Sequence, residues 1–189
     1  HAVFVTFVAP AALGSKPTAK AGLGRLEALR TEAPVKVDGD LSEWGKATAV
    51  PLGQELVSTG SVSPGDFAPI LHLLHDGSTL YIGLRVTDDD ISAADVESRD
   101  FVNSDYTRLY LSGREELDVT GASIGRDDLV LSINPLAEIG PRVKVPDYGP
   151  RTRTLADMSA IKVAARKTAA GYDEEVAVPL SLVGDGLST

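Results

Sequence analysis

Apolar and polar residues alternate in short runs along most of this chain, and the runs are broken by Gly, Pro, Asp and Ser. Alternation with a period of two marks a strand that buries one face and shows the other to solvent. Residues 106–112 are the clearest example, with Thr107, Leu109 and Leu111 set against Tyr106, Arg108 and Tyr110. Residues 70–74 and 80–87 flank Asp76-Gly77-Ser78, and turn residues between two β-rich runs predict a hairpin. Residues 128–133 and 161–165 read as further strands, and 176–180 as the last clear one, its Pro179 marking an edge or a strand end. Residues 25–31 alternate weakly and are expected to open the sandwich as a strand. Residues 141–153, with Pro141, Pro146, Pro150 and Gly149, predict a long loop. Helical periodicity is scarce. The fold class this predicts is all-β: an antiparallel β-sandwich, jelly-roll or immunoglobulin-like, with an N-terminal extension strand.

The chain divides into two unequal parts. Residues 1–24 form an apolar strand and a linker rich in Gly, Ala and Lys; residues 25–189 form the sandwich domain. Its 189 residues are enough to bury a real core. Lys plus Arg number 18 and Asp plus Glu 27, for a net charge of −9. That sign repels nucleic-acid backbones and anionic membranes, and it leaves carboxylates for divalent cations. With no cysteine, a disulfide framework, a zinc–thiolate site and covalent haem attachment are excluded. No apolar run approaches the roughly 18 to 20 residues of a membrane span. The opening run at residues 2–9 is too short and lacks a basic flank, so it is not an intact signal peptide.

Three stretches carry a family likeness. They are Val37-Asp38-Gly39-Asp40-Leu41-Ser42-Glu43-Trp44, then Leu80-Tyr81-Ile82-Gly83-Leu84-Arg85-Val86-Thr87-Asp88-Asp89-Asp90-Ile91, and last Gly171-Tyr172-Asp173-Glu174-Glu175-Val176-Ala177-Val178-Pro179-Leu180. In order and character they resemble the family 9 carbohydrate-binding modules and related extracellular β-sandwich domains, over roughly residues 25 to 184. The resemblance implies an opening Asp-Gly turn with Trp44 packed into the core, a central strand running into an acidic turn, and a late strand closed by a proline. It also implies an extracellular or cell-surface location and a sugar gripped between two exposed aromatic rings.

The two ends suggest assembly. Residues 1–10 carry no formally charged side chain and are apolar on both faces, an aggregation template that proteins normally cover or pair. In the modules resembled, at least one more strand follows the position of Leu180 to Gly184, and here the sequence stops at Thr189. The strand either completes its own domain or is donated to a neighbouring subunit through Val3, Phe4, Val5, Phe7 and Val8, building a homopolymer. A fragment cut from a longer protein would equally explain the end. Burying those side chains yields on the order of 1.5 to 3 kcal/mol each. Ordering the segment costs about 1 to 2 kcal/mol per residue. The two nearly cancel, so binding also needs an open sheet edge.

Candidate chemistry is sparse. Asp38, Asp40 and Glu43, then Asp88, Asp89, Asp90 and Asp95, then Asp127 and Asp128 place hard oxygen ligands at turns and make calcium the expected cofactor, chiefly at Asp38, Asp40, Asp88, Asp89 and Asp90. None of these clusters has EF-hand spacing. For a glycan, the single Trp44 is committed to the opening turn, which leaves Tyr148 in the proline-rich segment as the exposed aromatic of choice. His1 with His72 or His75 spells a copper-chelating set, against which stands the opposite facing of His72 and His75 on one strand. Met158 invites comparison with haem b-binding relatives, although a lone Met is ordinary core filler. Asp173, Glu174 and Glu175 alternate faces and read as a strand edge rather than a glycosidase pair. No nucleophile or phosphate-loop motif is present, so the chain reads as non-catalytic. The expected roles are, in order, a filament or surface-layer subunit built by strand donation, a carbohydrate-binding module, and a haem-binding electron-transfer subunit.

Overall fold

The computed structural model describes residues 28–52, 65, 67–94, 104–111, 129–136, 142–144 and 155–183. They form two sheets. The strands are β1 (Leu29–Arg30), β2 (Thr48–Pro51), β3 (Phe67–His75), β4 (Thr79–Asp88), β5 (Thr107–Leu111), β6 (Leu129–Asn134), β7 (Arg142–Lys144), β8 (Lys162–Thr168) and β9 (Gly171–Pro179), with one short helix, α1 (Leu155–Ala160). The larger sheet runs β1-β3-β4-β9-β8, with β2 also on β3, and the smaller runs β5-β6-β7. All pairings are antiparallel except β1 with β3.

The hairpin predicted around Asp76-Gly77-Ser78 joins β3 to β4, with His75 opposite Leu80. Its turn is built by one side chain. The Asp76 carboxylate accepts from the Ser78 and Thr79 amides and from the Ser78 hydroxyl at 2.8 Å each, and from the Tyr81 hydroxyl at 2.7 Å. These donors pin the turn from one side chain.

Alternation then sorts the faces. Leu80, Ile82, Leu84 and Val86 of β4 point the same way as Val176 and Val178 of β9, and they meet Leu109 and Leu111 of β5 and Leu131 of β6 in one inter-sheet core. On the opposite face of the large sheet, Leu74, Tyr81 and Ala177 are roofed by Leu41 and Trp44 from the opening segment. The two middle strands, β4 and β9, are therefore covered on both sides, and every β9 residue from Gly171 to Val178 is buried.

This corrects one reading of the sequence. Asp173, Glu174 and Glu175 lie on an interior strand between β4 and β8, not on an edge, and all three are buried. Smaller departures also appear. Part of the expected long loop is the strand β7, while β2 and α1 had no counterpart among the predicted elements. Of the strand expected over residues 25–31, the described residues 28–31 hold the two-residue β1, and Leu180 leaves the last strand to begin a 3-10 turn. The N-terminal strand with Val3, Phe4, Val5, Phe7 and Val8 lies outside the described residues, as do His1, Asp95, Asp127, Asp128 and Tyr148.

Candidate functional site

The opening turn is an anchor. Gly39, at a φ of 84°, lets the chain reverse tightly over β8 and β9. The Glu175 carboxylate accepts from the Asp38 amide at 2.7 Å, from the Gly39 amide, and from the Trp44 indole N–H at 2.7 Å. Burial pushes the Glu175 carboxyl up, and these three donors work against that shift. Trp44 packs as expected, only 2% exposed and pressed onto Gly83, so it offers no face to a ligand.

The predicted calcium ligands are held largely by the chain's own groups. Asp38 pairs with Lys36 at 2.6 Å. Asp40 caps the following 3-10 turn through the Ser42 amide at 2.9 Å and takes Arg166 on both oxygens at 3.1 Å. The Ser42 bonds, then Arg166, bring its pKa down to about 2. Asp88 accepts the Asp90 amide at 3.0 Å, closing its own turn. Among the described residues no group of three or more His, Asp or Glu side chains is arranged to hold a metal ion. Met158 packs against the inter-sheet core, as core filler does.

The three successive acids of β9 separate onto two faces. Asp173 shares the outer face with Glu175 and is clamped by Arg85, at 2.9 Å to one oxygen and 3.3 Å to the other. Glu174 points between the sheets. Asp173 and Glu175, on one face, are taken up by Arg85 and by the opening turn, and Glu174 lies on the other side of the sheet, so this trio makes no glycosidase pair.

The outer face of β5 and β6 offers more. Tyr106, Arg108 and Tyr110 are half-buried there, opposite in phase to the core residues Leu109 and Leu111. The Arg108 guanidinium lies 5.0 Å from the centroid of the Tyr106 ring, and its Nε donates to the Ser132 hydroxyl at 3.1 Å. Register places Ser132 directly opposite Arg108 and Val130 opposite Tyr110. Further along β6, Asn134 is sealed at 0% exposure; its Oδ1 accepts the Leu136 amide at 3.0 Å, while its Nδ2 has no partner. Val130 and Ser132 on the same face are 5% and 2% exposed, so what the face offers is a held guanidinium between two half-buried tyrosines, groups a polyhydroxylated ring can engage. Sequence reasoning had the alternation of this strand right but chose Tyr148, not these tyrosines, as the exposed aromatic. The signal was the alternation itself, which set an Arg between two Tyr on the solvent side.

The described fold is similar to that of a family 9 carbohydrate-binding module from Caldicellulosiruptor kristjanssonii solved in complex with cellotriose, with a TM-score of 0.53 and 16% sequence identity over 82% of this chain and 67% of the other. The module from the same organism in complex with glucose matches with a TM-score of 0.53 and 16% identity, over 82% and 68%. No protein-family profile matches the chain, and no curated protein sequence does. The chain thus has a family 9-like β-sandwich fold, as the three sequence stretches implied. Among the described residues, no helix is long and apolar enough to cross a membrane.

Proposed function

We propose that this chain is a non-catalytic glycan-binding module of an extracellular protein, and that it meets sugar on the outer face of β5 and β6 through Tyr106, Arg108 and Tyr110. The carrying observation is the likeness of its sandwich, across 82% of the chain, to modules solved with cellotriose and with glucose. The face fits that role. Tyr110 is half-buried on this face, and Arg108 is held in place by Tyr106 and Ser132 so that little ordering entropy remains to be lost on binding. The surface departs from the two-tryptophan grip of the family, since the sole Trp44 is structural. Tyr148 is a second candidate contact in the same proposal.

Strand donation into a homopolymer has less behind it. Its residues, Val3 to Val8, lie outside the described residues, and no feature of the two sheets favours it over glycan binding.

Isothermal titration against glucose, cellotriose and a panel of soluble polysaccharides tests the proposal. Binding by the wild-type chain, weakened about tenfold or more (~1.4 kcal/mol) in Tyr110→Ala and in Arg108→Ala with unchanged thermal melting, is the expected result. Silence of the wild type across the panel defeats the glycan reading. Full affinity in both variants leaves that reading standing and moves the sugar to another face.

A further inference from the structure

The only strand residue that carries a carboxyl into the inter-sheet core, among those described, is Glu174, and the opening turn and the outer face leave it unused. It is 0% exposed. One oxygen, Oε2, accepts from the Thr107 hydroxyl of β5 at 2.6 Å; the other, Oε1, is buried with no partner. Its surroundings are apolar or acidic. Register sets Leu84 of β4 and Ala165 of β8 on either side of it. Along β9 itself lie Tyr172 and Val176, and across the gap are Thr107 and Leu109 of β5. Tyr172 is the neighbouring titratable group, its phenol pushed up by burial and then by Glu174, Asp105 and Asp88. Lys167, opposite Tyr172, is exposed, and among the described residues no cation acts on the Glu174 carboxyl.

A carboxylate so placed leaves a charged oxygen in an apolar seam with neither hydrogen bond nor counter-ion, which is far costlier than a neutral acid in the same position. Protonated, Oε1 carries the hydrogen, and Oε2 remains the acceptor for Thr107 across the two sheets. Ionised, the group gains by admitting water, which parting of the small sheet from the large one at the Thr107 bond would let in. We infer that Glu174 is a proton-operated latch between the sheets, closed when the carboxyl is neutral and strained open when it ionises.

The direction of the shift agrees: burial raises the carboxyl to about 7, with the Thr107 bond acting the other way. A folded pKa above the unfolded one means the native state holds the proton longer. The stabilisation is therefore complete below the unfolded value of about 4.5 and is lost as pH rises to about 7. Thr107 sits between Tyr106 and Arg108, so an opened latch would also slacken the outer face. The latch itself does not depend on what that face binds.

Urea denaturation of the wild-type chain and of Glu174→Gln, at about pH 5 and about pH 8, tests the inference. The wild-type unfolding constant should rise on the order of 70-fold more than that of the variant between the two, since Gln keeps the acceptor for Thr107 and cannot ionise. Amide exchange in β5, corrected for its intrinsic pH dependence, should quicken over the same interval in the wild type only. An equal pH response in both proteins overturns the latch. Should Glu174→Gln not fold, carbon-detected NMR titration of the wild-type carboxyl decides instead: a midpoint near 7 supports the latch and a midpoint in the ordinary glutamate range removes it.

Discussion

Single residues fix the opening segment to the sheet. Gly83 is the position at which β4 leaves room for it: a Cβ there would lie 2.8 Å from the Leu41 Cδ2 and 3.1 Å from two Trp44 ring atoms. Gly83→Ala should thus cost about 1 to 3 kcal/mol through overpacking, read as a lower urea midpoint with an unchanged slope. Glu175 is the matching polar contact. Glu175→Ala leaves two amides and an indole N–H without their acceptor, at about 1 to 3 kcal/mol for each donor left buried. Because Trp44 is the only tryptophan, its fluorescence reports directly on this site. A red shift in Glu175→Ala under native conditions is expected, and an unshifted spectrum would show the ring seated by packing alone. The family resemblance implied an inward-facing Trp44 but not its partner, because the acceptor lies 131 residues away on another strand.

At the level of elements, what was legible follows from length and phase. β3, β4, β5, β6, β8 and β9 each alternate or run apolar for long enough to be seen, and Asp76-Gly77-Ser78 marked its hairpin. β2 and β7 were not visible, since Thr48–Pro51 and Arg142–Lys144 are too short for a period to register and stand beside prolines or in a proline-rich stretch. The six residues of α1 are likewise under two turns. β9 was found but misplaced. Three adjacent acids look like an exposed margin, yet each is buried against a different partner: Arg85 and Arg166 for Asp173, Thr107 for Glu174, and the opening turn for Glu175. The β3–β4 turn makes its own prediction. Asp76→Ala removes four hydrogen bonds and should cost about 1 to 2 kcal/mol, with Asp76→Asn retaining part of it. Comparable melting of both variants and wild type would show the turn held by its flanking strands instead.

Across the whole molecule, pH acts from two sides. Burial raises the Asp76 carboxyl, but donors from Tyr81, Ser78 and Thr79 outweigh it and bring it down to about 2. Asp40 is likewise lowered to about 2, first by its bonds to Ser42. Depressed carboxylates give stability that is present above the unfolded value near 3.8 and fades as pH falls towards 2. Glu174 works in the opposite sense above about 4.5. Thermal melting should therefore peak in mildly acidic solution and decline on both flanks, and a plateau continuing to pH 8 would count against the buried carboxyl's share. The net charge of −9 adds a uniform self-repulsion near neutrality, so moderate salt should raise the melting temperature at about pH 7 more than at about pH 5.

By itself the amino-acid order determined the β-class and the phase of the strands, because these are local: a period of two and a turn residue act on neighbours in the chain. The tertiary structure alone decided which strands lie inside the sheet, and with them the fate of the charged residues. Burial of Asp173, Glu174 and Glu175 depends on β8, β4 and the opening segment closing over β9, contacts between residues far apart in sequence. Whether a carboxylate is solvated, paired or kept neutral is set by what stands across from it, and no local pattern encodes that.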